Sequence, residues 1–191
     1  MSLQYQCPLC NLALLKADST LRCANNHSFD FAKEGYVNLL PVQQKNSKQP
    51  GDSLEMVQAR RAFLERGYYR FLQQNLSDLV GRISANTVID LGCGEGFYTQ
   101  AIASKTEAVV YGVDISKSAV KYAAKRYPNC HFSVASISQA PFKSQFADVL
   151  ISVFAPLFEE EIERLANKNA TLVVASPGPY HLKELKSYIY S

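Results

Sequence analysis

Four residues near the start of the chain have the types and the spacing of a zinc site. Cys7 and Cys10 are separated by two residues, and Cys23 and His27, separated by three, follow after a further twelve. Tetrahedral Zn²⁺ takes thiolate and imidazole ligands, and each of two short turns can supply two of them. All four positions are then filled by side chains, so the sequence predicts one structural zinc ion rather than a catalytic one with an open position. A domain of this size, residues 1–40, is expected to unfold without its metal.

A second cluster lies in the stretch DLGCGEG, where Asp90 precedes Gly92, Gly94 and Gly96. Nicotinamide sites usually have the spacing G-x-G-x-x-G, and an acid beside the loop is unfavourable for a pyrophosphate. Asp114 ends the next predicted strand, where a carboxylate accepts hydrogen bonds from both ribose hydroxyls. Acids around the loop complement a ligand with positive charge. The arrangement therefore predicts S-adenosylmethionine, which carries a sulfonium and an amino group, rather than NAD.

Composition limits where the protein works and what it binds. No stretch of the chain approaches the roughly 20 apolar residues of a membrane helix, and the N-terminus has no signal-peptide pattern. The sequence therefore predicts a soluble, cytoplasmic protein without a membrane partner. The net charge is only +3, but the excess of Lys and Arg lies in the first 70 residues. Four arginines of a predicted helix belong to this region: Arg60, Arg61, Arg66 and Arg70. They could contact the phosphates of a nucleic acid, or some of them could pair with Asp52, Glu55 or Glu65 and hold the two lobes of the protein together.

The elements that must position these residues alternate between strands and helices from Asn86 onward. The predicted strands are TVIDL, AVVYGVD, HFSVAS, FADVLISVF and ATLVVAS, and helical stretches follow the first, second and fourth. Apolar strands that alternate with helices predict a parallel sheet covered on both faces, a doubly wound α/β fold. Ligands of such folds bind at the carboxyl ends of the strands. Five strands are fewer than the usual seven or so of a complete methyltransferase sheet, so the sheet is expected to lack its last strands.

The sequence pattern divides the chain into a zinc domain, a linker and a cofactor domain. Residues 41–54 are polar and contain two prolines, which predicts a linker between the zinc domain at 1–40 and the cofactor domain at 55–191. A helical pattern then begins at Ser53 and breaks near Gly67. We expect the zinc and cofactor sites to lie on separate lobes, so that loss of zinc leaves cofactor binding largely intact.

Five stretches of the sequence are more specific than these general patterns. They are CPLC, CANNHSFDFAKEGYVNLLPVQ, PGDSLEMVQARRAFL, DLGCGEGFYT and SPGPYHLKELK. Together they resemble the bacterial large-subunit (23S) ribosomal RNA guanine-N1 methyltransferases over nearly the whole chain. The resemblance implies a zinc-ribbon-like RNA-recognition domain before a Rossmann-like class I methyltransferase domain that uses S-adenosylmethionine. It also implies that the substrate is one guanine in a hairpin of 23S rRNA, and that the working form is a homodimer.

The resemblance also assigns residues to the two sites. It gives the same zinc ligands as the spacing does, and it places Asp114 at the ribose. Further positions are implied as cofactor contacts: Tyr69, Gly92, Gly94, Tyr98, Thr99, Ala135, Ser136 and His181. Tyr98 and Thr99 would surround the methionine part with the glycines, Ala135 and Ser136 would lie near adenine, and Tyr69 and His181 would close over the cofactor.

The chain departs from the family in two ways, and other functions stay open. Family members usually continue past this C-terminus, and Leu157 stands where a cysteine often follows the proline of SVFAPLFEEE. The base that removes the guanine N1 proton is not identified, with Glu95, His181 and a tyrosine such as Tyr98 as candidates. Alternatives are a small-molecule methyltransferase and a non-catalytic zinc and RNA-binding protein. The first leaves the zinc motif unexplained, and the second does not need the intact cofactor loop.

Overall fold

A computed structural model of the protein describes residues 3–44 and 50–181, together with residues 183 and 187. The strands are β1 Leu15–Ala17, β2 Thr20–Arg22, β3 Ser28–Asp30, β4 Val37–Asn38, β5 Thr87–Leu91, β6 Val109–Asp114, β7 His131–Val134, β8 Ala147–Val153 and β9 Ala166–Ala175. The helices are α1 Leu54–Glu65, α2 Arg70–Gly81, α3 Phe97–Ala103, α4 Lys117–Arg126 and α5 Glu159–Leu165. Strands β1 to β3 form a small antiparallel sheet, which with the turns before it we call the ribbon.

The large sheet has six parallel strands in the order β4-β7-β6-β5-β8-β9. Helices α3, α4 and α5 connect β5 to β6, β6 to β7 and β8 to β9. Runs of Val, Ile and Leu form the central strands because these strands are covered on both faces, and Ile89 and Leu150 are almost fully buried. The predicted doubly wound fold and its five strands are confirmed.

The sixth strand, β4, was not predicted. Val37–Asn38 pairs in parallel with Ser133 and Val134 of β7, although this segment falls within the residues that we assigned to the zinc domain. Two residues are too short to show a strand period, so no pattern could reveal the pairing. The first 40 residues therefore contribute an edge strand to the large sheet. The linker predicted at 41–54 lies partly outside the described residues.

The ribbon covers one face of the large sheet. A parallel connection usually contains a helix, but none of the described residues 135–146 between β7 and β8 is helical. Tyr5 of the ribbon packs there instead, with its ring 5.2 Å from that of Phe142 and 5.4 Å from that of Tyr111. The backbone N–H of Gln6 also donates to the carbonyl of Pro141 at 2.8 Å. The ribbon thus takes the place of a crossover helix.

Ribbon and sheet consequently share one hydrophobic core. Leu14 and Leu21 of the ribbon belong to the same buried cluster as Ile89 and Val113 of the sheet. The expectation of separate lobes was wrong, because the apolar face of the ribbon is buried on the sheet rather than within a domain of its own. The metal therefore supports the face of β5 and β6 that lies behind the cofactor loop.

Helices α1 and α2 are joined by a short turn and pack on different helices, α1 on α4 and α2 on α3. The side chain of Ser53 caps α1 by accepting the N–H of Met56 at 3.3 Å. Gly67 has a φ of 84°, which breaks the helical pattern at the predicted place. None of the helices in the described part of the chain is long and apolar enough to cross a membrane.

Removal of zinc should destabilise the whole chain and not only the ribbon. We expect the double variant Cys7→Ser/Cys23→Ser to lose its zinc, to melt at a lower temperature and to bind cofactor more weakly, because the covered face of β5 and β6 becomes exposed. Elemental analysis, thermal denaturation and calorimetry measure these three effects. Leu15→Ala, at an exposed position of the ribbon, is the control. A zinc-free variant with the cofactor affinity of the unmodified protein would contradict the shared core.

Candidate zinc ribbon and cofactor site

The four predicted zinc ligands come together in the structure. Their ligand atoms all lie within 4.8 Å of one another. The Sγ atoms of Cys10 and Cys23 are 3.7 Å apart, and Nδ1 of His27 lies 3.4 Å from Sγ of Cys7 and 3.5 Å from Sγ of Cys23. A tetrahedron with zinc–sulfur bonds of about 2.3 Å has edges of roughly 3.8 Å, so these donors fit Zn²⁺ with little rearrangement.

Each ligand pair is held by a turn that an asparagine closes. Asn11 (φ 58°) follows Cys10, and its N–H donates to the carbonyl of Cys7 at 2.8 Å. Asn26 (φ 62°) precedes His27, and its N–H donates to the carbonyl of Cys23 at 2.9 Å. Asparagine adopts this left-handed conformation more readily than most residues, which explains its place in both turns.

The glycine loop between β5 and α3 needs residues without a side chain. Gly92, Gly94 and Gly96 all have positive φ, and a Cβ at Gly92 would lie 2.5 Å from that of Ala155. At Gly94, by contrast, a Cβ would meet no atom within 4 Å, because the backbone faces an open cavity. Gly92 therefore allows close packing within the protein, and Gly94 leaves the backbone open to a ligand.

Two carboxylates lie beneath this loop. Asp114 at the end of β6 accepts the backbone N–H of Gly94 at 2.9 Å and that of Ser116 at 2.8 Å. Asp90 is buried, and one of its oxygens accepts the hydroxyl of Thr99 at 2.6 Å. Burial, together with the charge of Asp114, raises the pKa of Asp90 to about 7, although the hydrogen bond from Thr99 lowers it. Burial also raises the pKa of Asp114. A cation bound above the loop would favour the ionised form of both acids.

The cavity above the loop has a volume of about 330 Å³ and opens at the carboxyl ends of β5 and β8. Its lining includes Tyr69, Gly92, Gly94, Tyr98 and His181 of the predicted cofactor residues. All three candidate bases, among them Glu95, also line it. The structure thus brings together residues that are more than 100 positions apart in the sequence.

The other predicted cofactor residues are not part of the lining: Asp90, Gly96, Thr99, Asp114, Ala135 and Ser136. Asp114 contacts the lining through its bond to the N–H of Gly94. Asp90 and Thr99 bond to each other under the loop, so they hold the start of α3 against β5. Ala135 is buried, and its N–H donates to the carbonyl of Asp114 at 3.0 Å. The hydroxyl of Ser136 bonds to that of Ser138 at 2.8 Å. The contacts of Ala135 and Ser136 with adenine stay predictions.

Tyr98 carries a polar atom that has no partner in the described part of the structure. Its hydroxyl is buried and forms no hydrogen bond. Burial raises the pKa of Tyr98 to about 12, so the hydroxyl is a donor at neutral pH. A buried donor without an acceptor is costly, and among the described residues Tyr98 is the one with such a donor that also lines the cavity. With the open backbone at Gly94 and the two acids, this residue fits a cofactor that has both a carboxylate and cationic groups.

The segment 50–53, which we call the strap, was assigned to the linker but borders the cofactor site. A Cβ at Gly51 would lie 2.9 Å from Cβ of Ser116, and the hydroxyl of Ser116 donates to the carbonyl of Asp52 at 2.9 Å. Asp52 forms an ion pair with Arg60, which lines the cavity. The strap thus fixes the start of α1 beside Asp114. The stretch PGDS was the available signal, since its Gly and Asp mark a specific turn.

Phe154 is a residue of the cavity that sequence reasoning missed. It follows β8 directly, lines the cavity and has a φ of 56°, which is rare for a residue with a bulky side chain. Its ring lies 5.6 Å from that of Tyr69, edge to face, and 6.4 Å from that of His181, stacked. Nothing in the sequence indicates this strained backbone, whose N–H donates to the carbonyl of Ala175 at 2.8 Å. Such strain is frequent at sites that bind ligands.

Comparison with known proteins agrees with this arrangement. Residues 5–48 match the zinc ribbon family described as RlmA, N-terminal, and residues 83–191 match a methyltransferase domain family. A 23S rRNA (guanine(748)-N(1))-methyltransferase of Streptomyces fradiae is 36% identical over 94% of this chain and 65% of its own length. A Micromonospora griseorubida protein with a provisional name of the same kind is 33% identical over 94% of this chain and 68% of its own length. The chain belongs to the 23S rRNA (guanine-N1) methyltransferase family.

Solved structures place the methyltransferase domain in a common fold. An S-adenosylmethionine-dependent methyltransferase from Aquifex aeolicus is 19% identical, with a TM-score of 0.54 over 73% of this chain and 87% of its own. Identity at this level supports the Rossmann-like fold alone. The chain spans about two thirds of the length of the family members named above.

Cofactor binding to this family member should depend on pH through Asp90. Because the pKa of Asp90 is about 7 in the free protein, most of the carboxyl is protonated at pH 6 and most is ionised at pH 8. A cationic ligand favours the ionised form, so we expect S-adenosylmethionine affinity to rise by up to about tenfold from pH 6 to pH 8, with proton release on binding. Calorimetry in buffers of different ionisation enthalpy measures both quantities.

Asp90→Asn should remove most of this pH dependence. Asp78→Asn, an exposed acid on α2 that pairs with Lys105, should leave it unchanged and serves as the matched control. An affinity that does not change with pH in the unmodified protein would show that the ligand does not act on Asp90.

Proposed function

We propose that the protein transfers a methyl group from S-adenosylmethionine to N1 of one guanine in a hairpin of 23S rRNA. The observation that carries this proposal is the cavity at the carboxyl ends of β5 and β8. It combines a glycine loop above two buried acids with an aromatic mouth. The names of the relatives support the choice of guanine N1, and the ribbon supports RNA over a small molecule.

The residues of the cavity give each part of the cofactor a partner. Backbone at Gly94 approaches the methionine part, and the free hydroxyl of Tyr98 donates to its carboxylate. Asp114 keeps lone pairs free for the ribose hydroxyls after it accepts its two backbone N–H groups. Tyr69 and His181 close the mouth above. When bound, the cofactor supplies an electrophilic methyl group.

The guanine needs a place beside this methyl group and a group that removes its proton. N1 is protonated at neutral pH and lies on the pairing edge, so the base must be unpaired before it enters. The exposed ring of Phe154 is a surface on which a flat base can stack. Burial raises the pKa of Glu95 to about 7, so Glu95 can accept a proton at neutral pH, whereas Tyr98 cannot. Most of the rate should come from holding N1 in line with the methyl group and the sulfur.

The proposal includes a bacterial cytoplasmic location and a homodimer as the working form. Ribosomal RNA is made and modified in that compartment, and the family resemblance implies the dimer. Sedimentation of the protein with and without an RNA hairpin measures the oligomeric state.

Mass spectrometry of methylated RNA tests the reaction. The protein is incubated with labelled S-adenosylmethionine and either unmodified 23S rRNA or a metabolite extract, with Asp114→Ala as the control that should be inactive. We expect 1-methylguanosine at a single site of the rRNA. Label in a metabolite would favour a small-molecule methyltransferase, and RNA binding without any label would favour a non-catalytic protein. A methyl group on another atom of guanine would overturn the assignment to N1.

The ring of Phe154 should contribute to kcat/KM for RNA and not to the affinity for the cofactor. Base stacking on an aromatic ring is worth about 1–3 kcal/mol, so Phe154→Leu should lower kcat/KM for RNA by about tenfold or more while cofactor Kd stays within about twofold. Phe154→Tyr keeps a ring and should restore activity. Phe158→Leu changes an exposed phenylalanine of the same region outside the cavity lining and is the control. A loss of cofactor affinity in Phe154→Leu would instead make this ring part of the cofactor site.

A further inference from the structure

The turn between α1 and α2 exposes several large aromatic side chains. In the stretch FLERGYYRF, the exposed fraction is 45% for Phe63, 57% for Tyr68 and 63% for Phe71. We call these three residues, with Arg66 and Arg70, the turn platform. A single exposed apolar residue needs no explanation, but a group on one turn marks an interaction surface.

The rings of the platform are ordered, and they continue into the cavity. Phe63 stacks on Tyr68 with the ring centres 5.1 Å apart, and Phe71 stacks on Tyr69 at 6.3 Å. Phe63 and Tyr69 also line the cofactor cavity, so the platform is the outer part of one aromatic surface. The turn is closed by two backbone bonds of 3.0 Å, from the N–H of Gly67 to Leu64 and from the N–H of Arg70 to Gly67.

The arginines of α1 and of the turn after it divide into two groups. Arg60 pairs with Asp52, and Arg61 shares Glu65 with Arg126, so Arg60 and Arg61 each have an acidic partner within the protein. Arg66 and Arg70 are exposed, and neither has an acidic partner among the residues that the structure describes. Of the four arginines expected to contact phosphates, only Arg66 and Arg70, which flank the exposed rings, are therefore still candidates.

Exposed rings beside free arginines have the chemistry of a single-stranded nucleic acid site. Bases stack on aromatic side chains whatever their sequence, and guanidinium groups bind the phosphates between them. Unpaired nucleotides beside a base that enters the cavity can reach the platform, because Phe63 belongs both to the platform and to the cavity lining. We propose that the turn platform stacks the unpaired nucleotides next to the target base, with Arg66 and Arg70 on their phosphates. This proposal rests on the proposed function only for the identity of the target base.

Binding of RNA probes tests the platform. The probes are an rRNA hairpin with 2-aminopurine beside the target guanine, a single-stranded oligouridine and a perfect RNA duplex. Tyr68→Ala and Phe71→Ala should each weaken binding of the first two probes by about 5- to 100-fold, and the 2-aminopurine should lose the quenching that stacking causes. Duplex binding and cofactor affinity should stay unchanged. Phe158→Ala is the aromatic control.

The salt dependence of RNA binding tests the roles of Arg66 and Arg70. Arg66→Gln and Arg70→Gln should each reduce the slope of log affinity against log salt by about 0.7 for the single strand, since one phosphate contact is lost. Arg82→Gln, an exposed arginine just beyond the opposite end of α2, should leave the slope unchanged.

Three results would overturn the proposal. The first is single-strand binding that stays unchanged in Tyr68→Ala and Phe71→Ala. The second is a weakening of duplex binding equal to that of single-strand binding. The third is a change from dimer to monomer while RNA binding stays intact, which would assign the surface to a second copy of the chain. Failure of the proposed function looks different. In that case the unmodified protein binds the single strand and quenches the probe, yet places no methyl group on guanine N1.

Discussion

Two carboxylates lie largely out of water at the ends of adjacent parallel strands, and the arrangement of the whole site follows from them. Asp114 is tolerated there because the backbone of Gly94 and of Ser116 turns two N–H groups toward it. That geometry requires the left-handed glycine loop and the start of α4 at this point. Asp90 likewise fixes the start of α3 through Thr99. The raised pKa values of Asp90 and Asp114 indicate that these contacts do not fully stabilise the two ionised carboxylates in the free protein. A cationic ligand would supply the missing stabilisation.

The ribbon changes how the zinc site should be understood. Zinc organises turns whose apolar side chains, among them Tyr5 and Leu14, are buried in one cluster with residues of the sheet. The sheet in turn has no helix between β7 and β8 to cover Tyr111 and Phe142. Each part supplies the surface that the other lacks. The zinc ribbon is thereby built into the methyltransferase domain as a structural layer.

Sequence reasoning succeeded where a local pattern determines local structure. The zinc ligands, the five long strands and the glycine loop each have a characteristic spacing, and family membership confirms what they imply. It failed where the outcome depends on contacts between distant segments. Pairing of Val37 with β7, the packing of Tyr5 on the sheet and the strained backbone of Phe154 have no local signature. The arginines illustrate the same limit, because the sequence offers acidic partners for all four, but only the fold shows that Arg60 and Arg61 are the two that pair.

The strap has a consequence for how the chain can vary. Strand β4 ends at Asn38 within the sheet, and Gly51 lies against Ser116 with no room for a side chain, so both ends of the intervening loop are anchored. Any side chain at position 51 must displace the start of α4, and the φ of 80° there favours glycine over every other residue. Gly51 is therefore the residue to preserve in a redesigned linker.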